Sequence, residues 1–332
     1  MLRVGYPDFI PTSYISQLPA GIELVPLSQT IAGEVAIDVW IVAPHLEHTQ
    51  SVWPHLRGVK LILGMMAGID WLVPIVGEKI TICNARGAHN IATAEWTISA
   101  ILAVLKYFPF YQQLQQSKQA WKQRFAATKH YQQISGDTSQ HFPPMLLEEL
   151  HGKKVLLVGF GAIGQQIARL LEPFDVQLTR VAHHARQNPT VHPVSELNTL
   201  LPEAEILILI LPLTAESRHL IGAQQLDLLP QGALVVNAAR GPIVDTDALV
   251  RSLHAGRIRA ALDVSDPEPL PEDHPLWDCP NLFLTPHIAA ANRQFIPRAI
   301  QSIAAELSRY IEGKPLENVV QAGVTVSASR VD

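Results

Sequence analysis

Short apolar runs separated by turn residues occupy the first hundred residues of the chain. The runs have the length of β-strands, and segments of helix length lie between most of them. Such alternation is typical of a small parallel α/β unit, because parallel strands need a crossover connection. The predicted strands are Leu2–Tyr6, Ile22–Leu27, Ala36–Val42, Val59–Leu63 and Ile80–Cys83.

A second, more regular series begins at Lys154. Its strands are short continuous apolar runs, as expected of strands that are buried on both faces of a parallel sheet. An intervening helix, Ala162–Leu171, carries Ile163, Ile167 and Leu170 on one face. The pattern predicts a doubly wound sheet. The predicted strands are Val155–Val158, Gln177–Val181, Ile206–Leu211, Ala233–Asn237, Ala260–Val264 and Leu282–Thr285.

The two series are joined by a segment of different character. Ile91–Phe108 is apolar on most faces and predicts a long buried helix that begins after Asn90. Residues 112–147 are rich in glutamine, and we expect part helix and part irregular chain there. Arg298–Ile311 predicts a further helix near the end. The length of 332 residues favours two domains.

Composition excludes several classes of protein. Hydrophobic residues make up 48% of the chain and charged residues 17%, which rules out a disordered chain. The net charge is −5 without a Lys/Arg cluster, so we expect neither nucleic acid nor a membrane as a partner. No apolar run reaches the length that spans a bilayer. Cys83 and Cys279 form no CxxC pair and the first residues resemble no secretory leader, so we expect a cytoplasmic protein without a metal site.

A glycine-rich turn follows the first strand of the second series. Gly159, Gly161 and Gly164 form a GxGxxG pattern that opens the helix Ala162–Leu171. In such a turn the first glycine makes the bend, the second lets a pyrophosphate approach the backbone, and the third lets the helix pack against the sheet. Free N–H groups at the helix N-terminus then bind the phosphates. Because strand and helix supply the required context, we predict a dinucleotide site.

The end of the next strand lacks the acid that usually binds the ribose of NAD(H). A carboxylate is expected about 20 residues into the motif, but residues 179–186 contain none and Asp175 comes before the strand. Its absence removes a charge that would repel a 2′-phosphate, and His183, His184 and Arg186 can attract one. We therefore expect NADP(H) to be preferred over NAD(H); the alternative is that these are ordinary solvated residues.

Polar residues follow three neighbouring predicted strands. Arg240 comes after the fourth strand of the series, Asp263 and Glu268 at and after the end of the fifth, and His287 after the sixth. Because ligands bind at the carboxyl ends of parallel strands, these side chains should converge near the glycine turn. An Arg can bind a carboxylate and polarise a carbonyl, and a His oriented by a Glu can transfer a proton near neutral pH. Together they favour hydride transfer between nicotinamide and a 2-oxo or 2-hydroxy acid.

Several motifs follow one another along the chain: the glycine turn, Leu211–Thr214 with RHLI after it, VNAARGPIVDTDAL from Val236, ALDVSDPEPLPEDHPLW from Ala261 and TPHIAA from Thr285. Together they resemble the D-isomer-specific 2-hydroxyacid dehydrogenases over nearly the whole chain. The resemblance implies that Arg240 binds the substrate carboxylate and carbonyl. It implies that His287 is the acid/base, that Glu268 is its partner, and that Asp263 meets the nicotinamide carboxamide. It also implies a homodimer formed through the cofactor domains.

The resemblance further implies two Rossmann-like or flavodoxin-like parallel-sheet domains with the active site in the cleft between them. The substrate domain would comprise residues 1–100 and 290–332, and the dinucleotide-binding domain residues 101–289. Ala67 and Gly68 match a loop whose backbone amides hold the substrate carboxylate. The family usually carries an acid where Ala182 stands, which supports NADP(H). The residues expected to contact the cofactor are Gly159, Gly161, Ala162, Ile163, Gly164, His183, Arg186, Leu211, Pro212, Ala238, Ala239, Asp263, His287 and Ala290.

The sequence leaves the substrate open. Glyoxylate, hydroxypyruvate or a larger 2-oxo acid would fit the predicted reduction, and 3-phosphoglycerate oxidation is a further alternative, although no basic cluster is assigned to a phosphate. Formate dehydrogenases resemble a pattern with glutamine as the partner of the histidine, so Glu268 argues against formate. A dinucleotide-sensing corepressor of the same fold would show negligible turnover. The intact set of Arg240, Glu268 and His287 favours the enzyme, because a sensor needs no proton donor.

Overall fold

The structure is a computed structural model that describes residues 1–136 and 147–322 of the chain. The chain divides into two compact units, each with its own sheet and hydrophobic cores. Unit 1 comprises residues 1–89 and the chain from Asn292 onward, and unit 2 comprises Asn90–Ala291. Unit 2 begins with the first residue of the apolar helix, Asn90, whereas the sequence-based limit falls after residue 100.

The strands and helices are numbered in chain order. The strands are β1 Leu2–Pro7, β2 Ile22–Leu27, β3 Val35–Ala36, β4 Val39–Val42, β5 Leu56–Arg57, β6 Leu61–Gly64, β7 Thr81–Cys83, β8 Lys154–Val158, β9 Gln177–Ala182, β10 Arg186–Gln187, β11 Thr190–Pro193, β12 Ile206–Leu209, β13 Ala233–Asn237, β14 Ile258–Leu262, β15 Leu282–Leu284 and β16 Val319–Gln321. The helices are α1 Thr12–Ile15, α2 Leu46–Val52, α3 Val73–Val76, α4 Asn90–Leu105, α5 Phe108–Gln116, α6 Ala126–Ser135, α7 Ala162–Leu171, α8 Leu197–Leu200, α9 Ala223–Leu228, α10 Thr246–His254 and α11 Phe295–Ile311.

Unit 1 is built on a sheet with strand order β16-β7-β6-β4-β1-β2. Its strands pair in parallel except β16, which pairs antiparallel with β7. Strands β4 and β6 are buried along their whole length, as their continuous apolar sequences predict. Helix α11 covers one face, since its Ile300 and Ile303 share a buried cluster with Val39 and Ile41. The small parallel α/β unit predicted from the sequence is therefore confirmed.

Unit 2 is a doubly wound α/β unit whose sheet has the order β10-β11-β9-β8-β12-β13-β14-β15. The pairs are parallel except β10 with β11. Along β12, Leu207 packs with Leu249 of α10 on one face. Ile208 packs on the other face with Ile101 of α4 and Ile167 of α7. Helices cover both faces, as predicted, and each fully buried Leu or Ile side chain contributes roughly 1.5–3 kcal/mol to stability.

The helix predicted to reach Phe108 ends earlier, at Leu105. Tyr107 has a left-handed backbone with φ of 56°, and Pro109 lacks the N–H that a continuing helix would need. The chain starts a new helix, α5, which is bent by 64° from α4. In the described part of the chain, no single helix is long and apolar enough to cross a bilayer, and only the bent pair of α4 and α5 meets the criteria of length and composition.

The glutamine-rich segment 112–147 is part helix, as expected. Helix α5 extends to Gln116 and α6 follows, while residues 137–146 of this segment and the tail 323–332 lie outside the described residues. Buried charges fix the chain just after the segment, because Arg259 at the start of the β14 strand donates to the Glu148 carboxylate. Lys153 adds an ion pair to Glu148 at 3.3 Å.

The single strand predicted over Ala36–Val42 was wrong. The structure has two shorter strands, β3 and β4, which belong to different sheets. Asp38 interrupts the run, since its carboxylate accepts hydrogen bonds from the backbone N–H of Arg3 and from Nζ of Lys60, each at 3.0 Å. The apolar pattern alone does not reveal this long-range pairing.

Candidate active site

The glycine turn between β8 and α7 leaves room for an anionic ligand. Gly159 adopts φ of 109°, which favours glycine. A Cβ on Gly164 would overlap the carbonyl oxygen of Gly159, so α7 can approach the turn only because residue 164 has no side chain. Apart from Gly161 and its two chain neighbours, no atom of the described chain lies within 4 Å of the position a Cβ would take on Gly161. Gly161 caps α7 without a side chain, so the N–H groups of the first helical turn can bind a phosphate.

The end of β9 carries imidazoles where an acid is usual. Ala182 is the last residue of the strand, and the exposed His183 and His184 follow it. Their Nδ1 atoms lie 3.4 Å apart, and their rings meet edge to face with centroids 4.5 Å apart. Arg186 is exposed in the short strand β10. A cationic surface free of carboxylates in residues 179–186 therefore follows the second strand of the dinucleotide motif.

The turn after β13 is closed by a buried amide. Asn237 is only 1% exposed; its Nδ2 donates to the carbonyl oxygen of Arg240 at 2.9 Å, and its Oδ1 accepts the N–H of Ala239 at 3.0 Å. Arg240 is half-buried, and its Nη1 donates to the carbonyl oxygen of Ala239 at 2.8 Å. These bonds fix the backbone from which the Arg240 guanidinium extends.

Gly241 brings the turn after β13 against the loop after β14. A Cβ at this position would overlap the carbonyl oxygen of Ser265, so the two backbones could not come so close with any other residue. Thr246 strengthens the contact by donating from Oγ1 to the carbonyl oxygen of Asp266 at 3.0 Å. Asp245 accepts the N–H of Ala248 at 2.9 Å and so caps α10, an interaction typically worth ~1 kcal/mol.

Asp263 organises the loop after β15. Its carboxylate is buried and accepts Oγ1–H of Thr285 at 2.6 Å, the N–H of Ile288 at 2.8 Å and the N–H of Ala289 at 2.7 Å. Its backbone oxygen accepts the N–H of His287 at 2.7 Å. A buried charge needs such hydrogen bonds, because it has lost its hydration. The loop therefore adopts a defined shape around this one carboxylate.

His287 has a left-handed backbone with φ of 54°. This conformation costs a non-glycine residue about 1–3 kcal/mol, so the surrounding hydrogen bonds must impose it. Nδ1 of His287 lies 2.5 Å from Oε1 of Glu268, and both side chains are about 40% exposed, 39% and 41% respectively. The strained backbone thus holds an imidazole against a carboxylate.

The contact between His287 and Glu268 shifts the pKa of both side chains. The hydrogen bond to Glu268 raises the pKa of His287, although burial and the Arg240 charge oppose it. Reciprocally, the hydrogen bond to His287 lowers the pKa of Glu268, and the Arg240 charge lowers it further. Because the Arg240 charge influences the pKa of each partner, the three side chains form one electrostatic group.

The structure places most of the predicted site residues at the carboxyl ends of the unit 2 strands. Ala162 and Ile163 begin α7, Leu211 and Pro212 follow β12, Ala238 and Ala239 follow β13, and Ala290 follows β15. Ala67 and Gly68 lie in unit 1, in the loop after β6. There the Nδ2 of Asn84 donates to the carbonyl oxygen of Ala67 at 2.6 Å.

Sequence reasoning missed the residues that shape this edge. Asn237 had a usable signal, since it is the polar end of an otherwise apolar strand. Gly241 and Thr285 lie in motifs that carry the family resemblance but were given no role, because their importance comes from contacts with residues 22 or more positions away. The arrangement combines a permanent cation, an imidazole–carboxylate pair and a cradle for phosphates, which is chemistry suited to an anionic substrate and a dinucleotide. Across residues 1–136 and 147–322, no three His, Cys, Asp or Glu side chains cluster as a metal site.

Comparison with known proteins places this site in a family. The family model described as "D-isomer specific 2-hydroxyacid dehydrogenase, NAD binding domain" matches residues 98–289. The glyoxylate reductase of Aeropyrum pernix is 35% identical over 275 residues, which is 80% of this chain and 77% of that protein.

Two solved structures have a similar fold. A D-isomer specific 2-hydroxyacid dehydrogenase family protein from Aeromonas salmonicida matches with a TM-score of 0.78 at 23% identity, covering 96% of this chain and 98% of the other. An NADPH-dependent glyoxylate/hydroxypyruvate reductase from Sinorhizobium meliloti, solved with NADP and malonate, matches with a TM-score of 0.70 at 24% identity, covering 96% of each chain. Because the family model spans more than half of the chain and a close relative agrees with it, this chain belongs to the D-isomer-specific 2-hydroxyacid dehydrogenases and is a nicotinamide-dependent oxidoreductase.

Proposed function

We propose that this enzyme reduces 2-oxo acids to D-2-hydroxy acids with NADP(H) in preference to NAD(H). His287 donates the proton, Glu268 is its partner, and Arg240 binds the substrate. The observation that carries the proposal is the 2.5 Å contact between Nδ1 of His287 and Oε1 of Glu268, with the charge of Arg240 acting on both. In the opposite direction, neutral His287 accepts the proton of the hydroxyl group.

His287 suits proton donation near neutral pH, because the hydrogen bond to Glu268 raises its pKa. With Nδ1 engaged by the carboxylate, Nε2 is the ring nitrogen that serves the substrate oxygen. When bound, the nicotinamide would supply the hydride. His287 would give its Nε2 proton to the carbonyl oxygen of the substrate, which leaves the imidazole neutral.

Arg240 is the proposed partner of the substrate carboxylate and carbonyl. A guanidinium stays charged at all working pH values and binds a carboxylate through two parallel hydrogen bonds. Its charge also stabilises the negative charge that develops on the carbonyl oxygen. We assign the backbone amides of Ala67 and Gly68 to the same carboxylate on the strength of the family resemblance.

The cofactor would be held by the glycine turn and by the N–H groups of Ala162 and Ile163. Leu211, Pro212, Ala238, Ala239 and Ala290 would border it. Asp263 keeps acceptor capacity for a carboxamide, since its Oδ2 accepts only the N–H of Ala289 among the hydrogen bonds of the described chain. The preference for NADP(H) rests on the missing acid after β9 and on the side chains of His183 and Arg186, which can attract a 2′-phosphate.

Glyoxylate is the first substrate to test, because the relative that is 35% identical is named a glyoxylate reductase. Hydroxypyruvate and larger 2-oxo acids remain candidates. We expect turnover of at least one of these acids, with kcat/KM for NADPH exceeding that for NADH by about tenfold, a difference of ~1.4 kcal/mol. Loss of absorbance of the reduced nicotinamide measures both. Faster turnover with NADH would refute the cofactor preference and leave the reaction class intact.

His287→Gln separates the reductase from a dinucleotide-sensing corepressor. The variant should lose roughly 10²–10⁴-fold in kcat, because general acid catalysis typically supplies that factor. The dissociation constant of NADPH, measured by fluorescence titration, should stay close to that of the wild type. Unchanged turnover would remove His287 from the mechanism. Negligible turnover of the wild type, together with tight cofactor binding, would favour the corepressor.

Glu268→Gln should move the pH profile of the enzyme. Because Glu268 raises the pKa of His287, reduction by the wild type persists to higher pH and falls as pH rises through that pKa. Without the carboxylate, the pKa of His287 drops, and the descending limb of kcat/KM for reduction shifts to lower pH. The ascending limb for hydroxy-acid oxidation should shift the same way. Limbs at unchanged pH would contradict the assigned partnership.

We also propose a homodimer formed through unit 2. The support is an apolar surface around α5 and α6, where Trp121 is 87% exposed and Phe108 62%. Nearby, an open cavity of about 290 Å³ is lined by Phe110, Pro280 and Leu282 among others. Such surfaces on one polypeptide usually mark a contact with another. A cytoplasmic location stays a prediction.

Sedimentation should give twice the 36.5 kDa mass of one chain. Trp121→Ala should weaken the dimer by at least about tenfold, because exposed tryptophans in interfaces are frequent hot spots. Trp277→Ala is a matched control, since Trp277 is also exposed but its Nε1 already donates to the carbonyl oxygen of Pro271. A wild-type protein that sediments as a single chain at micromolar concentration would refute the dimer.

A further inference from the structure

Two imidazoles stand in contact at the end of β9, and this contact limits how many protons they hold. The Nδ1 atoms of His183 and His184 are 3.4 Å apart. Two N–H groups cannot point at each other across that distance, so one Nδ1 must be the acceptor whenever the pair stays in contact. One proton added to the pair strengthens this hydrogen bond, whereas a second creates two like charges side by side. As long as the two Nδ1 atoms stay in contact, this geometry therefore accommodates one added proton better than two.

The neighbouring charged groups provide a fixed background for this proton. On β9 itself, the Arg180 guanidinium lies over the Phe160 ring, 5.5 Å from its centroid. Arg186 is on β10. On β11, His192 is bonded to Glu196 at 2.7 Å. The loop after β12 presents Glu216, whose pKa is lowered chiefly by its hydrogen bond to Thr214 and to a smaller extent by the charge of His183. One exposed carboxylate thus lies within reach of His183.

A 2′-phosphate is the ligand whose charge is complementary to these side chains. It carries a charge of about −1.5 to −2 near pH 7, with a second pKa of ~6. Arg186 offers a permanent cation, while unperturbed imidazoles titrate near ~6.5. A dianion beside the pair favours the protonated form, so binding and proton uptake are linked. A ribose 2′-hydroxyl carries no charge and has no such linkage.

We propose that His183 and His184 form a proton-dependent 2′-phosphate site, so that the preference for NADPH over NADH strengthens as the pH falls from about 8.5 to about 6.5. The inference rests on the proposed preference for NADP(H) and goes beyond it, because it makes the size of that preference depend on pH. Arg186 keeps a basal preference at high pH, when both imidazoles are neutral. Above about pH 6.5 the phosphate stays mostly dianionic, so its own titration does not mask the effect.

The experiment measures dissociation constants of NADPH and NADH for the enzyme without substrate, at constant ionic strength across this pH range. Binding without turnover leaves the proton transfer by His287 out of the readout. We expect the dissociation constant of NADPH to increase about three- to tenfold for each unit by which the pH is raised in the steepest part of the range. Tenfold per pH unit is the limit for one linked proton. The NADH constant should change far less. Titration calorimetry in buffers of different ionisation enthalpy should detect proton uptake with NADPH alone.

Two variants test whether His183 and His184 cause the pH dependence of NADPH binding. The double variant His183→Gln and His184→Gln should flatten the NADPH profile while keeping a reduced preference for NADPH through Arg186. His192→Gln is the matched control, because this imidazole is on the adjacent strand and already paired with Glu196; its profile should match that of the wild type.

The outcomes separate the two proposals. A constant NADPH preference across the range would overturn the proton-dependent site and leave the cofactor assignment standing. No preference at any pH would overturn the cofactor assignment itself. A sloping profile that survives in the double variant would overturn the role of the histidines, and the linked proton would then belong to another group; Glu216, whose pKa is lowered, stays deprotonated across this range.

Discussion

Asp263 lies at the end of β14 with 1% of its surface exposed, and its carboxylate accepts three hydrogen bonds from the chain that follows β15. Removing a carboxylate from water costs several kcal/mol unless donors replace the water. The donors here are a hydroxyl and two backbone N–H groups within residues 285–289, so the loop must fold around the charge. His287 takes its left-handed backbone within this loop. The position of the proposed proton donor thus depends on satisfying one buried anion.

A second constraint is steric. The turns after β13 and β14 touch at the backbone of Gly241 and Ser265, and only a glycine permits the approach. Asn237 closes the first of these turns with two hydrogen bonds. As a result, Arg240 and Glu268 come from neighbouring strands but act on one imidazole. Sites held this way need little reorganisation when charge develops, which is the main source of electrostatic catalysis.

The sequence could predict most helices and strands, but not all of the contacts between residues far apart in the chain. The helix Ala162–Leu171 and the strands β2 and β13 have the predicted limits, because their apolar periodicity is strong and local. The pattern misjudged Ala36–Val42, since the interruption at Asp38 comes from partners at positions 3 and 60. The convergence of Arg240, Asp263, Glu268 and His287 followed from parallel-sheet topology alone. The close approach of Gly241 to Ser265, in contrast, depends on an interatomic distance that no residue pattern encodes.

The proposed proton-transfer site and the proposed 2′-phosphate site each combine an arginine with a histidine. They differ in the group that contacts the histidine ring. At His287 the neighbour is a carboxylate, which stabilises the imidazolium and raises its pKa. At His183 the neighbour is another imidazole, which can share a single proton but cannot neutralise it. A proton that is held by a carboxylate stays in place for catalysis, whereas one shared between two imidazoles is readily gained or lost with an anionic ligand. The same residue type, placed on the same sheet edge, can therefore serve the chemical step in one place and cofactor selection in the other.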